Sequence, residues 1–308
     1  MSDAHWRRPV PRRGRPLGES RGPLVSDLWC GLAPLLRRRD VEDPMLEVRD
    51  LMAAVVDKPR WWPARHAEEP LEPAVADRIC MAVMLRASGA PFAYAAGRAA
   101  FRHLTLHVDD RVLIPRPETE VLVDAVLEWS AHRPGGLAID VGTGSGAIAL
   151  ALASEGAFDR VIGTDVSTGA VRVAESNMQL VSGVLRAPVE IRQGSLLAPA
   201  AGERARVVVS NPPYIAFDEL PDLPMSVRNW EPPIALYAGD GGMAMTAALA
   251  REAAAVLEPG GLLAMEIDCR RGAACAELLR AQGCYHDVRV RPDLTGRDRV
   301  LTATREDG

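Results

Sequence analysis

From Gly136 onward, short apolar runs alternate with stretches whose apolar residues return every three or four positions. βαβ units produce this alternation, because a strand covered on both faces reads as one apolar run while the returning helix shows a single apolar stripe. The pattern predicts strands at 137–141, 160–165, 188–193, 205–210, 261–267, 286–291 and 298–304. Helices are expected near 117–131, 145–156, 168–181, 241–257 and 271–282, the third with its stripe at Ala170, Val173, Ala174, Asn177, Met178 and Val181. The fold class is therefore α/β, a seven-stranded Rossmann-like sheet. Between 43 and 102 the period is helical throughout (Leu46, Leu51, Val55, then Val75, Ile79, Ala82, Val83), with breaks at Trp61-Trp62-Pro63 and from Pro70 to Pro73. This predicts a small N-terminal helical domain at 43–102, followed by a catalytic domain at 103–308.

The first forty residues follow neither pattern. Arg7, Arg8, Arg12, Arg13, Arg15 and Arg21 stand among Pro9, Pro11, Pro16, Gly14, Gly18 and Gly22, so 1–40 is expected to be a disordered Arg/Pro-rich tail. A nucleic-acid arm or a transit peptide has a similar composition, but these prolines would break the amphipathic helix that a transit peptide forms. A dispensable tail, or an upstream mis-assigned start codon, is the preferred reading.

Composition narrows the class. The chain has 308 residues, 48% hydrophobic and 25% charged, enough for one large domain and a smaller one. Its longest apolar runs, 260–265 and 147–153, are far shorter than the roughly eighteen residues of a membrane span. Five cysteines, an odd number without a C-x-x-C pair, indicate neither a zinc site nor a disulfide framework, and a reducing cytoplasm is expected. A net charge of -5 offers no global reason for nucleic-acid binding.

Candidate chemistry begins at Leu137-Ala-Ile-Asp-Val141, an apolar strand running into Gly142-Thr-Gly-Ser-Gly146. Such a turn lets backbone approach a ligand closely and is expected to present free amides at a helix N-terminus. Gly142, Gly144 and Ala147 also fit the dinucleotide fingerprint, so the loop alone is ambiguous. Asp140, inside the strand end, suits a cationic sulfonium cofactor better than a pyrophosphate, which it would repel; the plainer alternative is a carboxylate that caps the glycine turn. Asp165, at the end of the second strand, can accept from both ribose hydroxyls of either cofactor, or else cap the helix that follows.

Asn211-Pro-Pro-Tyr214 leaves the carboxyl end of strand 205–210, the edge where open α/β sheets bind ligands. Pro212 and Pro213 fix their own φ and bias the residue before each toward extended geometry, so the loop is stiff. It offers the Asn211 side-chain carbonyl and the Pro212 backbone carbonyl, two acceptors for the two hydrogens of an –NH₂ group, and the face of Tyr214 for stacking. An amide nitrogen is a poor nucleophile because its lone pair is delocalised. Two fixed acceptors can hold it where that pair meets a methyl carbon and can stabilise the charge that develops.

With Leu113-Ile-Pro-Arg-Pro-Glu-Thr-Glu120, Asp140-Val-Gly-Thr-Gly-Ser-Gly146 and Asn211-Pro-Pro-Tyr-Ile215 in this order, the chain resembles the bacterial release-factor glutamine N5-methyltransferases. Further stretches similar to that family are Pro91-Phe-Ala-Tyr-Ala-Ala-Gly97 leading to Phe101, Glu231-Pro-Pro-Ile-Ala-Leu236 and Asp293-Leu-Thr-Gly-Arg-Asp-Arg-Val300. The resemblance implies a class I methyltransferase sheet, S-adenosyl-L-methionine as cofactor, no metal, and a helical domain that docks peptide chain release factors. It implies a cofactor site of Asp140, Gly142, Thr143, Gly144, Gly146, Asp165, Ser195 and Asn211. Asn211, Pro212 and Tyr214 are the expected catalytic residues, and together with Pro213 they form the expected acceptor pocket. Glu118 and Glu120 are equally well explained as the acidic first turn of a helix started by Pro117. Two stretches depart from the family pattern: Ser195, where many relatives carry an acidic residue near the adenine, and Asp268-Cys-Arg-Arg271 after Met265-Glu-Ile267.

Three other readings stay open at this point. The same loop would serve a nucleic-acid adenine or guanine N-methyltransferase acting on a flipped base, against which stand the negative charge and the lack of a basic, aromatic-rich segment outside the tail. A non-catalytic cofactor-binding interaction protein would not need an intact Asn211. A dehydrogenase on the same sheet would not need Asn-Pro-Pro-Tyr.

Overall fold

The computed structural model describes residues 22–37 and 41–306, and these divide into two compact units at the boundary between Ala87 and Ser88. In the first, helices α1 (Val25–Leu32), α2 (Pro44–Val55) and α3 (Pro73–Ala87) surround Leu36, Val48, Leu51, Met52, Ile79 and Val83, all fully buried. Helix α2 starts as its sequence dictates: the Asp43 side chain accepts from the Leu46 amide, Pro44 takes the first position and Glu47 faces the positive end of the dipole. Of the stretch 1–40, expected to be disordered, the arginine-rich part through Arg21 lies outside the described residues. Val25–Leu32 and a 3₁₀ turn at Ala33–Leu36 are ordered helix, because Val25, Leu32, Ala33 and Leu36 bury their side chains.

The second unit opens with α4 (Phe92–Ala96), which ends at Gly97 in the left-handed conformation that residue tolerates. A hairpin of β1 (Arg98–Phe101) and β2 (Leu104–His107) follows, so the helical period read through 102 stops short of it. Phe101, Leu104 and Leu106 are buried, which makes the local period two rather than 3.6. Helix α5 (Pro117–Ser130) leads into a seven-stranded sheet of β3 (Leu137–Val141), β4 (Arg160–Asp165), β5 (Val189–Gln193), β6 (Ala205–Ser210), β7 (Leu257–Glu266), β8 (Tyr285–Pro292) and β9 (Asp298–Arg305), in the order β5-β4-β3-β6-β7-β9-β8. The first five strands in that order run parallel, and β9 is antiparallel to both β7 and β8.

Helices cover both faces of the sheet. On one side, α5 and α6 (Ala147–Glu155) pack on Ala138, Val207, Val209 and Leu262. On the other, α9 (Ala244–Val256) and α10 (Gly272–Ala281) pack on Ile139, Val141, Val208 and Leu263, while α7 (Thr168–Leu180) flanks β4 and β5. Alternate residues of β3 and β6 thus feed opposite cores, which is why both strands read as unbroken apolar runs. The segment expected to be helical from 241 begins at Ala244, because Asp240 and Gly241 adopt left-handed backbone angles. Between Ile215 and Met243 lies an insertion carrying the short helix α8 (Met225–Trp230). Among the described residues, no helix is long and apolar enough to cross a membrane.

Candidate active site

Strands β3 and β6 are neighbours in register, Val141 beside Ser210, and the Ser210 hydroxyl donates to the Val141 carbonyl at 2.7 Å. From β3 the chain builds outward through β4 and β5 on one side and through β6 and β7 on the other, so the strand order reverses here and leaves a crevice beyond the carboxyl ends. A cavity of about 350 Å³ occupies it, and Gly142, Gly144, Asp165, Ser195, Asn211 and Pro213 all contribute to its wall. The two motifs, separate in sequence, therefore open onto one space.

Gly142 and Gly144 are left-handed (φ 72° and 56°), and a β-carbon at either would meet nothing closer than 4.0 Å. Their bare backbone forms a cradle that side chains would fill. Four of the loop amides are engaged: those of Gly142 and Thr143 donate to the Thr164 carbonyl at 2.8 and 2.9 Å, that of Gly144 to Asp165 Oδ2 at 2.9 Å, and that of Gly146 to the Thr143 carbonyl at 2.8 Å.

Asp140 is fully buried beneath the loop rather than in the cavity wall. Its Oδ2 accepts from the Thr143 hydroxyl at 2.6 Å and the Ala149 amide at 3.1 Å, while Oδ1 has no partner among the described residues. Burial pushes its carboxyl up to about 7, against these two hydrogen bonds. The alternative of a capping carboxylate thus describes its contacts. Asp165 is in the wall, Oδ1 accepting from the Ser167 amide and Oδ2 from Gly144, and burial raises its pKa as well. The following helix is capped by the Ser167 side chain, so Asp165 is not needed for that. Gly146 stands apart from the cavity: a β-carbon there would press Leu150 at 3.1 Å and Ala174 at 3.4 Å, so its smallness serves helix packing.

On the acceptor side, Asn211 Nδ2 donates to the Thr119 hydroxyl at 3.0 Å, and Thr119 donates to Glu266 Oε2 at 2.6 Å. Tyr214 does not line the cavity. Its hydroxyl donates to Glu266 Oε1 at 3.0 Å, which turns the ring away from the stacking position expected of it. Glu266 is 1% exposed, and burial raises its pKa. The aromatic side chains in the wall are Phe101 and, from the insertion, Tyr237, the latter stacked on Phe217 with ring centroids 5.9 Å apart. Thr119, Glu266 and Tyr237 escaped the sequence reading. In Pro-Glu-Thr-Glu, Glu118 is exposed and Glu120 accepts from the Arg102 amide, whereas the threonine between them is the residue that reaches Asn211.

The insertion is anchored on two sides. Arg116 pairs with buried Glu231, and Arg271 pairs with Glu219 while donating to the Tyr214 carbonyl at 3.3 Å. The departure at 268–271 therefore braces the loop after Asn-Pro-Pro-Tyr, with Asp268 holding Arg271 at 2.8 Å.

The family described as Methyltransferase small domain matches residues 118–221, and the PrmC N-terminal domain matches 32–97. A release factor glutamine methyltransferase of Moorella thermoacetica is 43% identical over 87% of this chain and 93% of its own, and one of Cereibacter sphaeroides is 38% identical over 91% and 98%. Among solved structures, a methyltransferase from Pyrococcus furiosus superposes with a TM-score of 0.51 at 19% identity, covering 68% of this chain and 92% of that one; this likeness speaks to the fold alone. Identity at that level over nearly the full length, on a sheet whose switch-point cavity joins the glycine loop to Asn-Pro-Pro-Tyr, means that the chain belongs to the release factor glutamine methyltransferases, enzymes whose cofactor is S-adenosylmethionine.

Proposed function

We propose that this enzyme methylates the side-chain amide nitrogen (N5) of the glutamine in the Gly-Gly-Gln loop of peptide chain release factors. The observation that carries the reading is the state of Asn211: its Nδ2 is taken by Thr119, its Oδ1 has no partner among the described residues, and it stands in the cavity wall beside Pro212. S-adenosylmethionine, when bound, supplies an electrophilic methyl group on a sulfonium sulfur. Gly142, Thr143 and Gly144 hold it by backbone shape, Asp165 keeps lone pairs for its ribose hydroxyls, and Ser195 lies along the same wall. Asp140 and Gly146 act from behind the loop. Asn211 Oδ1 and the Pro212 carbonyl accept the two N–H bonds of the glutamine amide, orient its lone pair at the methyl carbon and stabilise the positive charge that grows on nitrogen. Pro213 and Tyr237 close the pocket; as the N–C bond formed, the methyl–sulfur bond would break to leave a neutral thioether, and the extra proton on nitrogen would pass to solvent.

The helical unit is read as the part that docks the factor. A protein acceptor explains why such a unit accompanies the catalytic one, since remote contacts can supply the energy that positions the reacting amide. A translation factor as substrate implies work in the cytoplasm, and nucleic acid is not the expected acceptor. The test is incubation with methyl-labelled cofactor and, separately, purified release factor, bulk ribosomal protein and nucleic acid, with mass spectrometry of the product. Label on the release-factor glutamine is expected; label on a base alone would replace this reading with the adenine methyltransferase.

A further inference from the structure

We propose that Thr119 and Glu266 are positioning residues that lock the side-chain amide of Asn211 in the one orientation that presents Oδ1 to the acceptor. The inference rests on the role of Asn211 given above and names what enforces that role. An asparagine amide is nearly symmetric in shape, and a half-turn about its last bond would exchange the acceptor for a donor. A donor aimed at an incoming –NH₂ group would repel it. Something must set the choice.

The polarity of the chain of hydrogen bonds sets it. Glu266 Oε1 accepts from Tyr214 at 3.0 Å and Oε2 accepts from Thr119 at 2.6 Å. The hydrogen bonds from Thr119 and Tyr214 and the charge of Arg299 all favour the ionised form of Glu266 against its burial, and an ionised carboxylate only accepts, so the single proton of the Thr119 hydroxyl is committed to Glu266. The Thr119 oxygen can then only accept from its other neighbour, which must turn Nδ2 toward it, as Asn211 does at 3.0 Å. The bonds run one way, from Asn211 through Thr119 to Glu266.

Folding alone gives little reason for this arrangement. Thr119 comes from the first turn of α5, Asn211 from the end of β6 and Glu266 from the end of β7, and each is brought to the same place by a different element. Thr119 and Glu266 are 4% and 1% exposed. A buried carboxylate is costly, and a well-packed apolar residue in its position would generally stabilise as much or more. Arg299, which bonds Asp293 at 3.1 Å, offsets part of the cost through its charge. A carboxylate kept despite that cost, with both oxygens bonded to residues that flank the acceptor loop, points to orientation as its use.

Four variants test this in the full-length enzyme: Thr119→Val, which keeps shape and removes the relay; Thr119→Ser, which keeps the relay; Glu266→Gln, whose amide can donate and lets the polarity reverse; and Asn211→Ala. Each is assayed for kcat and KM with release factor and for cofactor affinity by calorimetry. Thr119→Val and Glu266→Gln should lower kcat by about tenfold or more, with KM and cofactor affinity within about threefold of wild type, and Thr119→Ser should restore most of the turnover. Should Glu266→Gln not fold, the Thr119→Val and Thr119→Ser pair decides. Wild-type kcat in Thr119→Val, or an equal loss in Thr119→Ser, overturns the relay while leaving the role of Asn211 standing. An active Asn211→Ala defeats that role and the relay together.

Discussion

The side-chain amide of Asn211 donates to the hydroxyl of Thr119 across 3.0 Å, although 92 positions separate the two in sequence. One residue ends a strand and the other begins a helix, and their meeting turns a stiff tetrapeptide into an oriented acceptor. Neither motif reveals the other, since each is complete as a local pattern.

The most direct consequence concerns Asn211→Ala. Turnover with release factor should fall at least about a hundredfold, the usual cost of removing one preorganised partner of the transition state. Cofactor affinity measured by calorimetry should stay close to wild type. A variant that keeps more than about a tenth of wild-type turnover would contradict the assignment.

Gly142→Val probes the cofactor cradle. Nothing lies within 4 Å of a β-carbon there, so the new side chain should enter the cavity without a clash, at a backbone cost of about 1–2 kcal/mol for its left-handed conformation. Affinity for S-adenosylmethionine should drop by more than about tenfold, because the side chain fills space that backbone alone left open. Unchanged affinity would move the cofactor away from this loop.

Asp140 predicts a pH dependence of stability. Its carboxyl is pushed up to about 7 from an ordinary 3.8, so the folded chain holds a proton that the unfolded chain has released. The sign follows: this contribution is fully present below about pH 4 and is lost as pH rises through 7, at up to about 1.4 kcal/mol per pH unit. Urea unfolding of the cofactor-free protein at pH 5, 6 and 7 should show wild type weakening relative to Asp140→Asn. Parallel profiles would refute the burial argument.

Tyr214→Phe separates two roles for one side chain. If the ring stacked on the acceptor, phenylalanine would serve as well. Because the hydroxyl instead holds Glu266 at 3.0 Å and the ring lies outside the cavity wall, kcat should fall several-fold with cofactor affinity unchanged, as expected for losing a hydrogen bond to a charged group. Full activity would return Tyr214 to a stacking role.

Deleting residues 1–40 tests the correction at the N-terminus. The deletion removes Val25, Leu32, Ala33 and Leu36 from the core of the helical unit, and each buried leucine is worth roughly 2 kcal/mol. The thermal midpoint of that unit should fall, and transfer to intact release factor should fall with it. A true tail would leave both unchanged.

Much of the fold was legible because its signals are local. Leu137–Val141 and Ala205–Ser210 read as strands without ambiguity, since their continuous apolar runs need two covered faces, and the Asp43-Pro44 helix start follows from capping chemistry. The hairpin Arg98–Phe101 with Leu104–His107 was not legible, because four-residue strands carry too few positions to set a period of two against 3.6.

By itself the sequence determined which residue types stand at the strand ends: the glycines that free the backbone at 142 and 144, the stiff Asn-Pro-Pro at 211–213 and the carboxylate at 165. Each acts through its own backbone geometry or its place at a strand terminus, so sequence position suffices to find it. Only the tertiary structure decided that Thr119 bridges Asn211 to Glu266, that Tyr214 turns to Glu266 while Tyr237 faces the cavity, and that Asp140 lies under the loop. Those outcomes depend on which side of a strand or helix each side chain takes and on what another element places there. A hydrogen bond is settled within about 3 Å, a distance that the order of residues along the chain does not encode.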